Sequence, residues 1–160
     1  MLTEAQTNRI WESMVSAEVR SLYFGDLAAR YTKTKQILTG VSFFLSSGAA
    51  ATLAAQMPYW FPLVLSAISA ALMAYSMAVN LDRKAAVMAK LHYTWNQLAS
   101  DYDRLWNHWH EEDAEIRFNE LINRSRDASE LGTTEAPYDQ RLIEKWANHV
   151  YAQYASPKAA

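Results

Sequence analysis

The charged residues of this chain avoid its middle. Between Lys35 and Asp82 lie 46 residues without a single Asp, Glu, Lys or Arg. One membrane crossing takes about 20 apolar residues, so the stretch is long enough for two crossings and a tight turn. It is also too long, and starts too far from Met1, to be a cleaved signal peptide. Pro58 and Pro62 bracket Tyr59, Trp60 and Phe61. Proline stops helices and Trp and Tyr settle at the membrane–water boundary, so both signals predict the turn there. The spans then run over about Ile37–Gln56 and Phe61–Leu81. The rival reading, a soluble hairpin inside a larger assembly, requires a partner that covers an apolar rod on every side.

On either side of this stretch the pattern is helical and amphipathic. Thr3 with Gln6 three positions on predicts a helix start, and no proline interrupts the chain from there to about Thr34. Its apolar stripe is Ile10, Met14, Ala17, Ser21, Phe24, Ala28 and Tyr31, widened by Trp11, Val15 and Leu22, with Glu18 and Arg20 expected to turn toward water. After the second span Leu81, Met88, Leu91, Trp95, Leu98, Tyr102, Leu105 and Trp109 follow a coiled-coil spacing, which predicts that the membrane helix continues beyond the bilayer without a break. Glu112 falls in that seam, while Phe118, Leu121 and Ile122 lie off it, so a bend or a change of partner is expected after His110. Glu130 to Pro137, with Gly132, Thr133 and Thr134, reads as a loop. A last helix carries Leu142, Ile143, Trp146, Val150 and Tyr154 on one face, and the tail from Ser156 reads as frayed.

The fold class expected is therefore all-α: an integral membrane protein built on a two-transmembrane helical hairpin with long cytoplasmic helices. Its parts are an N-terminal cytoplasmic helix (1–35), the hairpin (36–81), a cytoplasmic helical extension (82–129) and a C-terminal helix (138–155). Arg30, Lys33 and Lys35 precede the first span, Arg83, Lys84 and Lys90 follow the second, and the turn has no basic residue. By the positive-inside rule both termini are cytoplasmic.

Two sets of residues each carry two readings. Met88, Leu91, Trp95, Leu98, Tyr102, Leu105 and Trp109 form a seam that packs either on the N-terminal helix of the same chain or on neighbouring subunits of a homo-oligomer. Within the spans Thr39, Ser42, Ser46 and Gln56 share one 3,4 repeat, and Ser66, Ser69, Ser76 and Asn80 share another. These hydroxyls and amides either bond between helices or line an aqueous path. Two helices enclose no pore, so a path requires several chains. Small residues form a separate series, Ser66, Ala70, Ala74 and Ala78, matched by Ser47, Ala51 and Ala55, whose spacing lets helix backbones approach closely.

Composition narrows the chemistry. A mean hydropathy of -0.21 and 20% charged residues would suit a soluble domain, and the averages conceal the segregation of charge. With no cysteine there are no disulfides, thiolate nucleophiles or Cys-based zinc sites. A formal charge of -2 is no footprint for a nucleic acid polymer. His108 with Glu111 or Glu112 has a helical metal-ligand spacing, but no second cluster supplies further ligands, so no metal is expected and a solvated polar patch is the plainer reading. Arg9 or Arg104 is a candidate for an anionic ligand, or an exposed helix charge. No phosphate loop, nucleophile elbow or channel filter motif occurs. No catalytic residue, cofactor or enzymatic activity is expected.

Glu18-Val19-Arg20, Leu22-Tyr23-Phe24 and Ala29-Arg30-Tyr31 lead into the small-residue hairpin, which is followed by Asn80, Arg83 and Lys84 and then by His92, Trp95, Asn96 and Leu98. This organisation, over about Thr3 to Trp109, resembles the SLATT domains, two-transmembrane effectors of bacterial nucleotide-second-messenger conflict systems. The resemblance implies a membrane-permeabilising, pore-forming effector of antiviral defence in the inner (plasma) membrane, gated by a cyclic nucleotide or a nucleotide-sensing partner. A non-conducting membrane anchor or scaffold that recruits a partner is the alternative.

Overall fold

A computed structural model describes residues 3–47, 58 and 60–155, and every regular element among them is helical. The helices are α1 (Glu4–Ser46), α2 (Trp60–Val79), α3 (Leu81–Asn107), α4 (Ala114–Glu135) and α5 (Gln140–Ala155). The chain packs as two compact units, one of residues up to Leu27 with those from Val87 onward, the other Ala28–Ala86.

The first unit is a helical module with a conventional core. α1 starts on a reciprocal capping box, in which the Thr3 amide donates to Gln6 Oε1 at 2.8 Å and the Gln6 amide to Thr3 Oγ1 at 3.3 Å. Ile10, Met14, Ala17, Ser21 and Phe24 of its stripe are buried, as are Met88, Leu91, Trp95, Leu98, Tyr102 and Leu105 of α3. Ser21 and His92 tie the two helices together: His92 Nδ1 lies 2.8 Å from the Ser21 carbonyl oxygen, which can only accept, so Nδ1 carries the proton. A Cβ at Gly25 would meet the same imidazole at 3.0 Å.

α3 ends at Asn107, where Asn107 Nδ2 and His108 Nδ1 donate to the carbonyls of Asp103 and Arg104. Trp109, the last residue of the expected seam, is 43% exposed in the turn that follows. That turn is the expected bend, and α4 leaves it with Phe118 and Leu121 buried and Ile116 72% exposed. His108, Glu111 and Glu112 thus sit on a turn, where the helical spacing that suggested metal ligands does not apply.

The expected loop from Glu130 is corrected: α4 continues to Glu135. Thr133 and Thr134 donate their hydroxyls back to the carbonyls of Ser129 and Glu130 and stay helical, and Gly132 serves packing, since a Cβ there would lie 3.1 Å from Phe24 Cζ. The helix stops because Pro137 holds Ala136 extended, at φ -100° and ψ 141°. Asp139 then caps α5, its Oδ1 accepting from the Leu142 amide at 3.1 Å. Tyr23 of α1 fixes this corner, its hydroxyl donating to the Pro137 carbonyl and accepting from the Asp139 amide. Leu142 and Val150 are buried on α5.

In the second unit α1 runs on past Thr34 to Ser46. Gln56, the rest of the first expected span and Tyr59 of the turn lie outside the described residues, as does the tail from Ser156. α2 opens with the Phe61 amide on the Pro58 carbonyl, and Pro62 falls in its first turn, where no intrahelical donor is needed. Among the described residues one helix, the run from Trp60, is long and apolar enough to cross a membrane. α2 buries none of its 20 residues, unlike a core helix of a soluble protein. The expected unbroken passage from α2 into α3 is also corrected. Asn80 takes a positive φ of 48°, a left-handed conformation that Asn tolerates better than other side chains, and α3 restarts on its carbonyl.

Candidate functional site: an arginine–serine cleft

α1 carries a polar stripe beside its buried one. Arg9, Glu12, Ser13, Ser16 and Arg20 follow each other at helical spacing, and α4 presents Ser125, Arg126 and Ser129. These two faces, with Trp95 and Tyr102 of α3, line one concavity of about 400 Å³. Arg20 is its best-fixed member. Its guanidinium lies 4.6 Å from the centroid of the buried Trp95 ring and donates from Nη1 to Ser129 Oγ at 2.6 Å. Arg20 keeps an exposed surface, yet burial of the guanidinium lowers its pKa from the ordinary arginine value; the group stays charged at neutral pH. Beneath it the Tyr102 hydroxyl, held by Ser13 and Ser125, is pushed above the ordinary tyrosine value chiefly by burial.

The positive charge in this cleft is only partly compensated. Among the described residues Arg9, Arg20 and Arg126 form no ion pair with a carboxylate, and Glu12 is the one acid in the lining. The concavity lined by Arg104, Arg117 and Arg124 differs: Arg124 pairs with Asp101 at 2.8 Å, and Arg117 with Asp113 at 2.7 Å and Glu111 at 3.1 Å. A second, more apolar cavity of about 350 Å³ shares Arg20, Trp95 and Ser129 with the cleft and is lined further by Tyr23, Phe24 and Ile143. Among the described residues the buried Trp95 Nε1 hydrogen has no acceptor.

The residues expected to matter are distributed differently. Met88, Leu91, Trp95, Leu98, Tyr102 and Leu105 are core residues of the helical module, and two of them, Trp95 and Tyr102, also reach the cleft. In the other unit Ser66 and Asn80 are exposed and Ser69 and Ser76 half-buried, and the Ser66 hydroxyl donates to its own helix at the Leu63 carbonyl, 2.9 Å away. Ser76 and Asn80 line a small concavity with Lys35 and Asp82, which form an ion pair. Thr39 is exposed and Ser42 half-buried; the Ser46 side chain and Gln56 lie outside the described residues.

The sequence singles out Arg9 and turns Arg20 toward water, where it is indeed exposed, but does not indicate its contacts with Trp95 and Ser129 or single out Arg126. The signal available was the run Arg9, Ser13, Ser16, Arg20 one position away from the apolar stripe, whose meaning depends on α4 lying against it. No protein-family model, curated protein or solved structure matches this chain.

Proposed function

We propose that this chain is a non-enzymatic membrane effector that self-associates through its membrane helices and permeabilises the bilayer, controlled by a ligand or partner at its helical module. The observation that carries the reading is α2, an apolar helix of 20 residues with none buried. Such a surface is stable in lipid or against other copies of itself. Ser66, Ser69 and Ser76 place hydroxyls on that helix, and because Ser66 already bonds its own backbone it needs no partner on a neighbouring helix. Basic residues at both ends of the apolar stretch favour cytoplasmic termini. The likeness to SLATT effectors adds the antiviral setting.

The test is release of a small dye from liposomes containing the purified protein. Wild type should leak, and a variant with Ser69→Leu and Ser76→Leu should insert equally well but leak little, because an apolar constriction dewets. Full insertion of wild type without leakage would overturn the pore and favour the second reading, a membrane anchor whose helical module recruits a partner. The unpaired arginines of the cleft are what favours that alternative.

A further inference from the structure

We infer that the arginine–serine cleft binds a phosphomonoester carried on an apolar or aromatic body, and that this ligand controls the membrane helices. The binding stands on the cleft alone; the control rests on the pore reading above.

The argument begins with charge. Three guanidinium groups and one carboxylate leave the cleft lining at +2 in a chain whose formal charge is -2. Like charges on α1 and α4 repel, and Glu12, the one carboxylate in the lining, offsets only one of the three. A phosphomonoester brings about -1.5 to -2 at neutral pH and three acceptor oxygens, which matches both the charge and the donors. A phosphodiester brings a single negative charge and neutralises half as much. Arginine is the side chain suited to this task, since its planar fork presents five donors, and Arg20 uses one on Ser129. The contact with the Trp95 ring and the bond to Ser129 hold that fork in place before any ligand arrives. The hydroxyls of Ser16 and Ser129 add neutral donors at the rim.

The rest of the ligand has a place to go. The cavity sharing Arg20, Trp95 and Ser129 offers Tyr23, Phe24 and Ile143 as walls, so a body attached to the phosphate would leave the basic cleft and meet aromatic surface at once. The two cavities, of about 400 and 350 Å³, fall within the size range of small-molecule sites. Nucleotides and lysophospholipid-like headgroups share this chemistry.

Titration calorimetry of the full-length protein in detergent micelles at low salt separates the possibilities, with adenosine 5′-monophosphate, its 3′,5′-cyclic diester, inorganic phosphate and a short-chain phosphatidate as probes. One of the two body-bearing monoesters should bind at least about tenfold more tightly than the diester and than inorganic phosphate, and which one it is identifies the source. Arg9→Gln combined with Arg126→Gln should weaken that binding by about tenfold or more, with the circular dichroism spectrum and elution volume unchanged, since both side chains are exposed and neither forms an ion pair among the described residues. No heat with any probe, equal affinity for monoester and diester, or undiminished binding by the double variant would each overturn the site. In liposomes the bound monoester should change wild-type leakage and leave the double variant unaffected. Binding without that change would overturn the control, whereas absence of all leakage would overturn the pore reading and leave the binding result standing.

Discussion

Of the 20 residues in α2 none is buried, while the 27-residue α3 buries Leu81, Met88, Leu91, Trp95, Leu98, Tyr102 and Leu105. A single residue separates the two helices in sequence. α3 segregates its faces: its apolar residues recur at coiled-coil spacing, with Asp, Lys, Gln and Asn between them, so one face can be covered by α1 and α4 and the other left to water. α2 has no charged residue, and beside Ser66, Ser69 and Ser76 its surface is apolar. The difference shows that apolar content does not decide burial within one chain; its angular distribution does. A helix without a charged side is suited to an apolar surrounding, such as a bilayer or the apolar face of another chain.

The largest expected effect that would break this comparison comes from a charge on each helix. Leu98→Asp places a carboxylate at a site that is 0% exposed, and should cost more than about 4 kcal/mol and abolish the folded module, seen as loss of near-ultraviolet dichroism. Ile68→Asp on α2 should leave that spectrum intact and reduce the membrane-bound fraction after carbonate extraction. A folded, soluble Leu98→Asp protein would contradict the division.

A smaller contrast comes from truncation. Leu91→Ala, at a site 1% exposed, should lower stability in denaturant titration by about 2–5 kcal/mol, because a cavity replaces close-packed atoms. Leu63→Ala, at 67% exposure on α2, should change the same midpoint by less than about 0.5 kcal/mol.

The smallest effect sharpens the picture at the edge of the module. Tyr154 donates to Glu18 at 2.8 Å and packs edge-on against Trp11, and partial burial together with that carboxylate pushes its pKa up to about 12. The folded value lies above the unfolded one, so the contribution is complete below about pH 10 and is lost as pH rises toward 12. Thermal melts of Tyr154→Phe should therefore differ from wild type at pH 8 and approach it above pH 11.

Much of this was legible in the sequence because it rests on periodicity. The α1 capping box, five positions of its stripe, the α3 seam as far as Leu105, and Leu142 and Val150 of α5 follow from spacing alone. Val19, Tyr23 and Leu27, by contrast, are buried outside the expected stripe, and Trp109 and Tyr154 are exposed. The helical stretch at 130–135 was not, because Gly132 and the two threonines have the composition of a loop while their contacts, to Phe24 and to carbonyls one turn back, are set by packing. Asn80 was missed for a related reason: neither Gly nor Pro marks the break. The cleft was legible least. Arg20 and Arg126 are 106 positions apart, and only the packing of α1 on α4 makes them neighbours.

Asn80 also has a consequence for how the chain can change. One residue off helical geometry resets the angular count, so the stripe of Ser66, Ser69 and Ser76 and the seam from Met88 onward need not be held in a common phase. Without it, a residue inserted into α2 would rotate every later side chain of α3 by about 100° and pull the seam out of the core. With it, α2 can lengthen or shorten and the break at Asn80 can absorb the rotation. Asn80→Val, which resists the left-handed conformation, would couple the two helices and remove that freedom.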